Sequence, residues 1–449
     1  HYRVFYLNYD KLENTTEFED LRDLVENIYT NEYLGELLPK WNEGLLEENA
    51  LTCIPLQRNF FSKFVKSVNV KTVVIISDAM RYEVGRQLYT KMMDNPKCSA
   101  KLQVMLSVLP SYTRLGMEAL LPHKTLELTD DFREVVDGKY ATDLAVRQAV
   151  LQSYESESKC VQFDDVKNLK GQELRDVFTG QSVVYVYHDQ IDNTGEHEED
   201  AVFEACEKAV DEIVKLIQKI STSGNTYRFI VTADHGFIYK RDKVPASDKI
   251  GGMSDSDRLV KRRYIVSKKP VTEQGVCNIG LGYMLGNDDN KIISYSCSMN
   301  VFSTPGNAGL NYVHGGSSPQ EMLVPVLDIK MDKGAVETRP AQIMLVSLVQ
   351  KITNLITSLD FIQSDPVSDV VKSTTYRLYF ISDNNEKISN ENIYVADKRD
   401  EDVQKRLFRM RFTFKNKKYD KDRKYYLVAY DGSNEAEVFR HEVIMDLVF

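Results

Sequence analysis

Val73-Val74-Ile75-Ile76-Ser77-Asp78-Ala79-Met80-Arg81-Tyr82-Glu83-Val84 is a short β-branched run that ends on a carboxylate and passes into a helical pattern. Consecutive branched aliphatics favour a buried strand. Met80, Val84, Leu88 and Met92 then recur four apart, the spacing of one helix face. The alternation returns at Val183-Val184-Tyr185-Val186-Tyr187, followed by a helix carrying Phe203, Cys206, Val210, Ile213 and Ile217, and a further strand is predicted over residues 228–232. Buried strands alternating with amphipathic helices predict an α/β fold whose mostly parallel sheet is flanked by helices.

On the N-terminal side, Phe18, Leu21, Leu24, Val25 and Ile28 fall at helical spacing, and Thr16 with Glu19 fits a capping box. Residues 1–66 therefore read as an N-terminal helical segment ahead of an α/β domain over residues 67–335. After Met331 the texture changes. Phe408, Met410, Phe412 and Phe414, then Tyr426, Val428 and Tyr430, alternate strictly, with turns expected at Asp383-Asn384-Asn385 and Asp431-Gly432. Residues 340–449 read as a separate C-terminal β-sandwich, and 449 residues are more than one core usually supports.

Apolar residues at 42%, charged residues at 28% and a net charge of −10 describe a soluble globular protein whose surface is not built to coat nucleic acid. The apolar runs are too short for a bilayer and no basic-then-apolar export signal precedes them. A cytoplasmic protein without membrane contact is expected. Cysteines at 53, 98, 160, 206, 277 and 297 form no C-x-x-C pair and resemble neither a disulfide framework nor a zinc knuckle. The start at His1 rather than Met reads as the end of a longer protein.

In an open α/β sheet, side chains converge beyond the carboxyl ends of the strands. The strands predicted here deliver Asp78, then His188, Asp189 and Asp192, then Asp234 and His235 to those ends, and His314 sits in a His-Gly-Gly turn before an apolar run at residues 322–327. Carboxylate oxygens and imidazole nitrogens together suit zinc, manganese or a related divalent ion, and their number is enough for two sites. Pro110-Ser111-Tyr112-Thr113 follows a strand-like stretch and precedes a helical pattern over residues 115–121. A hydroxyl held there beside a metal is easier to ionise.

These segments, with Ser77-Asp78-Ala79-Met80-Arg81-Tyr82-Glu83, Pro110-Ser111-Tyr112-Thr113-Arg114-Leu115-Gly116-Met117, Ile191-Asp192-Asn193-Thr194-Gly195-Glu196, Thr232-Ala233-Asp234-His235-Gly236 and His314-Gly315-Gly316 in that order, resemble PglZ domains of the alkaline phosphatase superfamily. The likeness covers about residues 67–335. With the helical lead-in and the C-terminal β-domain, the longer pattern is similar to the type A PglZ proteins of BREX phage-defence systems. The resemblance implies a metal-dependent phosphoester hydrolase, a phosphodiesterase by preference and a nuclease as a variant of that chemistry. It assigns Asp78, Asp234 and His235 to one divalent ion with Thr113 as nucleophile beside it, and Asp192 and His314 to a second. The superfamily's phosphodiesterases place a histidine four residues after the aspartate, where this chain has Glu196. Glu196 keeps the spacing, His197 is the reserve, and a carboxylate there adds magnesium to zinc and manganese as candidates.

Each assignment has a plainer rival. Asp234-His235-Gly236 alone is a common turn, and it is the concert with Asp78 and His314 that favours a metal. Thr113 could simply cap its helix, with Ser111 a weaker candidate for nucleophile. His188 and Asp189 could contact substrate or only hold hydrogen bonds; Arg81 and Arg114 could steady a phosphate or be solvated. Arg258, Lys261, Arg262, Arg263, Lys268 and Lys269, and a second basic stretch over residues 405–424, could grip DNA or be solvated faces. The partners implied are other BREX proteins, with DNA a further candidate. The rival reading of the whole chain is a scaffold that binds defence components or DNA without turnover.

Overall fold

The β-branched run Val73 to Ile76 lies in the middle of a six-stranded sheet. Its strands are β1 (Thr72–Ser77), β2 (Cys98–Leu106), β3 (Ser158–Gln162), β4 (Val183–His188), β5 (Arg228–Thr232) and β6 (Leu323–Met331), in the order β2-β6-β5-β1-β4-β3. β1 pairs in parallel with β4 and β5, and β3 with β4. Only β6 is reversed, antiparallel to both β5 and β2. Every residue of β1, β4 and β5 is buried, as expected where helices cover both faces. Because β1, β4 and β5 run the same way, their last residues emerge at one edge.

In this computed structural model the described residues are 1–47, 54–66, 70–245, 248–251, 257–304, 311–332, 339–368, 371–400, 402–432 and 436–447. They belong to two units, His1–Lys333 and Gly334–Phe449. Helices of the first include α1 (Tyr2–Tyr9), α2 (Glu19–Asn27), α3 (Gly35–Leu45), α4 (Tyr82–Met93), α5 (Thr113–Ala119), α6 (Leu144–Tyr154), α7 (Gln190–His197) and α8 (Val202–Ser223). α8 buries Phe203, Cys206, Val210, Ile213 and Ile217, the stripe its sequence predicts.

The N-terminal helices differ from expectation in three ways. Tyr2, Tyr6, Tyr29, Leu34 and Phe60 share one hydrophobic core with the sheet, so the lead-in is part of the first unit. The proposed capping box is absent: Thr16 opens a short 3-10 turn, and its N–H donates to Asn14 Oδ1 (3.1 Å), a local side-chain bond that competes with helix capping. The helical stripe faces outward as well. Leu21 and Leu24 are 46% and 52% exposed, while the inward Glu26 accepts hydrogen bonds from Tyr2 and Tyr6.

Between β5 and β6 stands a four-stranded antiparallel sheet of Arg258–Val260, Tyr264–Ser267, Ile292–Ser296 and Val276–Gly280. It corrects the reading of the cysteines, since Cys277 and Cys297 form a disulfide. Cys277 pairs across the ladder with Tyr295, two residues before Cys297, so the hairpin brings together cysteines that sequence spacing leaves apart. Cys98, Cys160 and Cys206 are free, and Cys53 lies outside the described residues. Arg263, from the first basic stretch, is buried against Glu321 and donates to the carbonyls of Ser298 and Asn300; it is structural.

The second unit contains a three-stranded sheet (Ile343–Leu345, Ile356–Gln363, Leu407–Thr413) and a five-stranded one centred on Tyr425–Asp431. Phe361, Phe380, Phe412 and Leu427 share the core of this β-sandwich. Met410, Phe412 and Phe414 face inward as predicted. On Tyr425–Asp431 the core instead takes Tyr425, Leu427 and Ala429, and Tyr430 stacks on Tyr379 outside it. The basic stretch here is largely neutralised: Lys405, Arg409, Lys417, Lys421, Arg423 and Lys424 pair with Asp400, Asp360, Glu386, Asp446, Asp383 and Glu442. Cations so engaged offer little to a nucleic-acid backbone. Among the described residues no helix is long and apolar enough to cross a membrane.

One buried acid makes the fold pH-sensitive. Glu118 on α5 is fully buried, neither of its oxygens completes a hydrogen bond, and burial and then the nearby Glu134 push its carboxyl up to about 8. The folded chain thus retains a proton that the unfolded chain releases near its ordinary value of 4.5. Stability should fall as pH rises between those values, by an amount of order a few kcal/mol. Glu118→Gln should flatten this decline when urea midpoints are compared from about pH 5 to about pH 8.5; an unchanged slope would contradict the assignment.

Candidate metal centre

Asp78 follows β1, and its N–H donates to His188 O (2.7 Å), extending the pairing of β1 with β4 past the strand end. The next residue, Ala79, takes a left-handed conformation (φ 60°), which costs a non-glycine residue about 1–2 kcal/mol. Its N–H donates to Asp234 Oδ1 (3.1 Å), so the turn that is unfavourable locally brings the ends of β1 and β5 together. Gln57 secures the same loop. Its amide donates to Asp234 O (2.6 Å) and Ala233 O (3.1 Å), while its Oε1 accepts from Val108 N–H (3.0 Å). A Cβ on Gly116 would lie 2.5 Å from Asp234 O, so glycine is needed for α5 to approach. That approach sets Thr113 Oγ1 3.1 Å from His235 Nε2.

Two groups of ligand-type atoms form here, Asp78 with Asp234 and His235, and Asp192 with His235 and His314, each with its atoms within 4.8 Å of one another. His235 Nε2 is 3.5 Å from Asp78 Oδ1 and 3.4 Å from Asp234 Oδ2. His314 Nε2 is 3.9 Å from Asp192 Oδ1, and the rings of His235 and His314 stack at 4.2 Å. His235 Nδ1 lies 2.8 Å from Gly236 O. A carbonyl can only accept, so Nδ1 carries the proton and Nε2 turns its lone pair into the site.

The electrostatics fit a bound cation. Asp78 Oδ1, Asp234 Oδ2 and His314 Nδ1 are buried without a hydrogen-bond partner, an arrangement that costs about 1–3 kcal/mol per neutral group and more per charge. Burial, then repulsion from Asp234 and Asp192, holds the Asp78 carboxyl well above the usual range; burial likewise raises Asp234. Burial and the neighbouring His235 press His314 down to about 4, so it is neutral and able to ligate. Divalent charge would reverse the strain on the carboxylates, and the mixture of carboxylate and imidazole donors suits such an ion.

Other expected residues stand elsewhere. Glu196 and His197 are exposed on the last turn of α7; Glu196 belongs to neither group, and His197 Nδ1 bonds Asn193 O (2.8 Å). The inward space beside Asp192 is taken by Tyr312, whose OH donates to Asp192 Oδ1 (2.7 Å). Tyr312 is not among the expected residues; its place two positions before His314 is the signal that could have pointed to it. Arg81 is buried beneath Phe237 (5.0 Å) and paired with Glu83 (3.3 Å), turned away from a substrate phosphate. Arg114 is exposed at the start of α5. Ser111 Oγ donates to Gly316 O (2.6 Å) and so ties the Thr113 loop to the His-Gly-Gly turn. His188 is buried with Nδ1 3.0 Å from Ser77 Oγ and Nε2 3.1 Å from Glu212 Oε2. With both nitrogens engaged it braces the strand ends rather than contacting substrate.

Residues 56–329 match the family model described as the BREX system PglZ alkaline phosphatase-like domain. The alkaline phosphatase-like protein PglZ of Bacillus cereus (strain H3081.97) is 36% identical over 448 residues, 97% of this chain and 52% of that protein. The alkaline phosphatase-like protein BrxZ of Escherichia coli O9:H4 (strain HS) is 32% identical over 452 residues, 96% of this chain and 52% of that one. The chain thus spans about half the length of these curated relatives. Murine ectonucleotide pyrophosphatase/phosphodiesterase 5 aligns at 10% identity with a TM-score of 0.40, over 57% of this chain and 87% of that one. The matched span carries the strand ends, the Thr113 turn and the acid–histidine groups built above, and on it the chain belongs to the PglZ family of alkaline phosphatase-like domains from BREX systems.

Proposed function

We propose that this chain is a phosphodiester hydrolase that works with two divalent cations and a Thr113 nucleophile, as one component of a BREX phage-defence assembly with other BREX proteins. One observation carries the reading: Thr113 Oγ1 stands 3.1 Å from His235 Nε2, and His235 is common to both acid–histidine groups. Asp78, Asp234 and His235 would hold one cation, Asp192 and His314 the other. Divalent charge there supplies Lewis acidity that favours the alkoxide form of a bound hydroxyl and offsets charge on phosphoryl oxygens.

The protein's own contribution is position. α5 fixes the Thr113 hydroxyl against the strand ends, and Tyr312 and Gln57 hold Asp192 and Asp234 in place. Attack forms a bond from Thr113 Oγ1 to phosphorus and breaks the ester bond opposite, releasing one alcohol; water then displaces Thr113 from phosphorus and releases the monoester. Arg81, engaged by Glu83, adds no cationic charge for a third non-bridging oxygen. That supports a diester over a monoester.

The scaffold reading is favoured by one observation, the exposed Glu196 outside both groups, which leaves the second site with fewer ligands of its own. It predicts metal binding or partner binding with little turnover.

Thr113→Ala should lower metal-stimulated release from bis-nitrophenyl phosphate by about 10³-fold or more while leaving bound manganese or zinc unchanged, and EDTA should abolish release. Activity surviving both treatments would contradict the mechanism. Tyr312→Phe should weaken the second cation by roughly 10–100-fold in competition titrations, since it removes the hydroxyl that orients Asp192. An unaltered affinity would show that Asp192 needs no such support.

A further inference from the structure

The His-Gly-Gly turn that carries His314 rests on a buried acid to which the proposed reaction gives no part. Glu321 is fully buried on a short turn of helix, Pro319–Met322, ahead of β6, and its carboxylate collects four donors. Oε1 accepts from Gly316 N–H (2.8 Å) and Arg263 Nε (3.2 Å), and Oε2 accepts from Ser318 N–H (3.2 Å) and Arg263 Nη2 (3.1 Å). A capping box accounts for the Ser318 bond alone. The other three join the turn after His314 to Arg263, which the carbonyls of Ser298 and Asn300 hold in place.

Glu321 also reaches the other imidazole. Its main-chain carbonyl accepts from Gly236 N–H (2.8 Å), and Gly236 O in turn lies 2.8 Å from His235 Nδ1. One residue thus bonds the segments that follow both histidines, whose rings stack at 4.2 Å. The fit is tight enough to fix residue type. A Cβ on Gly316 would lie 2.8 Å from Arg263 Nε and 2.9 Å from Glu321 Oε2, and one on Gly236 would lie 2.1 Å from Gln320 O. A buried ion pair is a weak source of stability, because desolvation offsets its attraction; what its bonds provide here is a fixed place for the turn.

We infer that Glu321, held by Arg263, is the positioning residue that sets the imidazoles of His314 and His235 against each other, and that its side chain governs cation affinity at Asp192 and His314. The second half rests on the two-cation reading; the first is a property of the metal-free chain. Loss of the side-chain acceptor frees Gly316 N–H and with it the His314 turn. The bond to Gly236 comes from the main chain and survives substitution, so the cation assigned to Asp78, Asp234 and His235 is spared. Groups that orient metal ligands commonly contribute about 10–100-fold to affinity.

Variants of the full chain separate positioning from mere stability. Arg263→Met combined with Glu321→Met removes both charges and the acceptor together, a replacement that buried ion pairs often tolerate, whereas Glu321→Gln keeps an oxygen for Gly316 N–H. Gly316→Ala leaves the pair whole but wedges a Cβ between it and the turn, so it tests the same contact if the double variant does not fold. In EDTA, hydrogen exchange at Gly316 should be roughly tenfold or more faster in the double variant and in Gly316→Ala, and within about threefold of the unaltered chain in Glu321→Gln, with Gly236 unchanged throughout. In manganese titrations the double variant and Gly316→Ala should bind the second ion about tenfold or more weakly and the first as before, and Glu321→Gln should retain both. Unchanged exchange at Gly316, an unshifted second affinity, or a loss in Glu321→Gln as large as in the double variant would each overturn the proposal. An unaltered chain that takes up no manganese would contradict the two-cation reading instead, and exchange at Gly316 in EDTA would still decide whether Glu321 positions the turn.

Discussion

Mutual repulsion among Asp78, Asp192 and Asp234 is the constraint around which the first unit is organised. A parallel sheet delivers the strand-end acids Asp78 and Asp234 to one edge, and burial denies them the water that would screen their charge. The protein spends its local interactions on holding them there. Ala79 accepts a left-handed backbone, Gln57 ties two loops, Gly116 lets α5 close in, and Tyr312 fixes Asp192. Arrangements of unpartnered buried acids persist where something outside the polypeptide completes them, and the same geometry that gathers the acids puts a threonine hydroxyl beside the histidine they share.

Much of this was legible in the sequence because local pattern and global fold agree. Runs of valine, isoleucine and tyrosine at residues 73–76 and 183–187 became fully buried strands, and Asp78 and Asp192 after them joined the two groups, whereas His188, Asp189, Glu196 and His197 stand outside both. The case of Glu196 is instructive. Four residues along a helix is 400°, so position 196 lies about 40° beyond Asp192 around the axis. Here the last turn of α7 carries that offset into solvent while Tyr312, from a distant strand, fills the inward space. No periodicity within residues 190–197 reports a side chain arriving from residue 312.

The other departures share that cause. The stripe of Leu21 and Leu24 has true helical spacing but lies outward, because Tyr2 and Tyr6 hold Glu26 on the inner side. Periodicity shows that a face exists without showing what covers it. Cys277 and Cys297 are joined by a hairpin register that spacing alone does not encode. Arg81 reads as a phosphate ligand from its place beside Asp78, yet it reverses direction at the start of α4 and enters a different cavity. The basic residues of the β-sandwich read as a patch along the chain and become alternating ion pairs once neighbouring strands supply their acids.

The central claim is that one hydroxyl and two cations share a single crevice. Anomalous diffraction from crystals grown with manganese and soaked with vanadate tests it most directly. The account predicts one manganese bound by Asp78, Asp234 and His235, a second bound by Asp192 and His314, and vanadium bonded to Thr113 Oγ1. Manganese absent from both groups, or vanadate held away from Thr113, would contradict it.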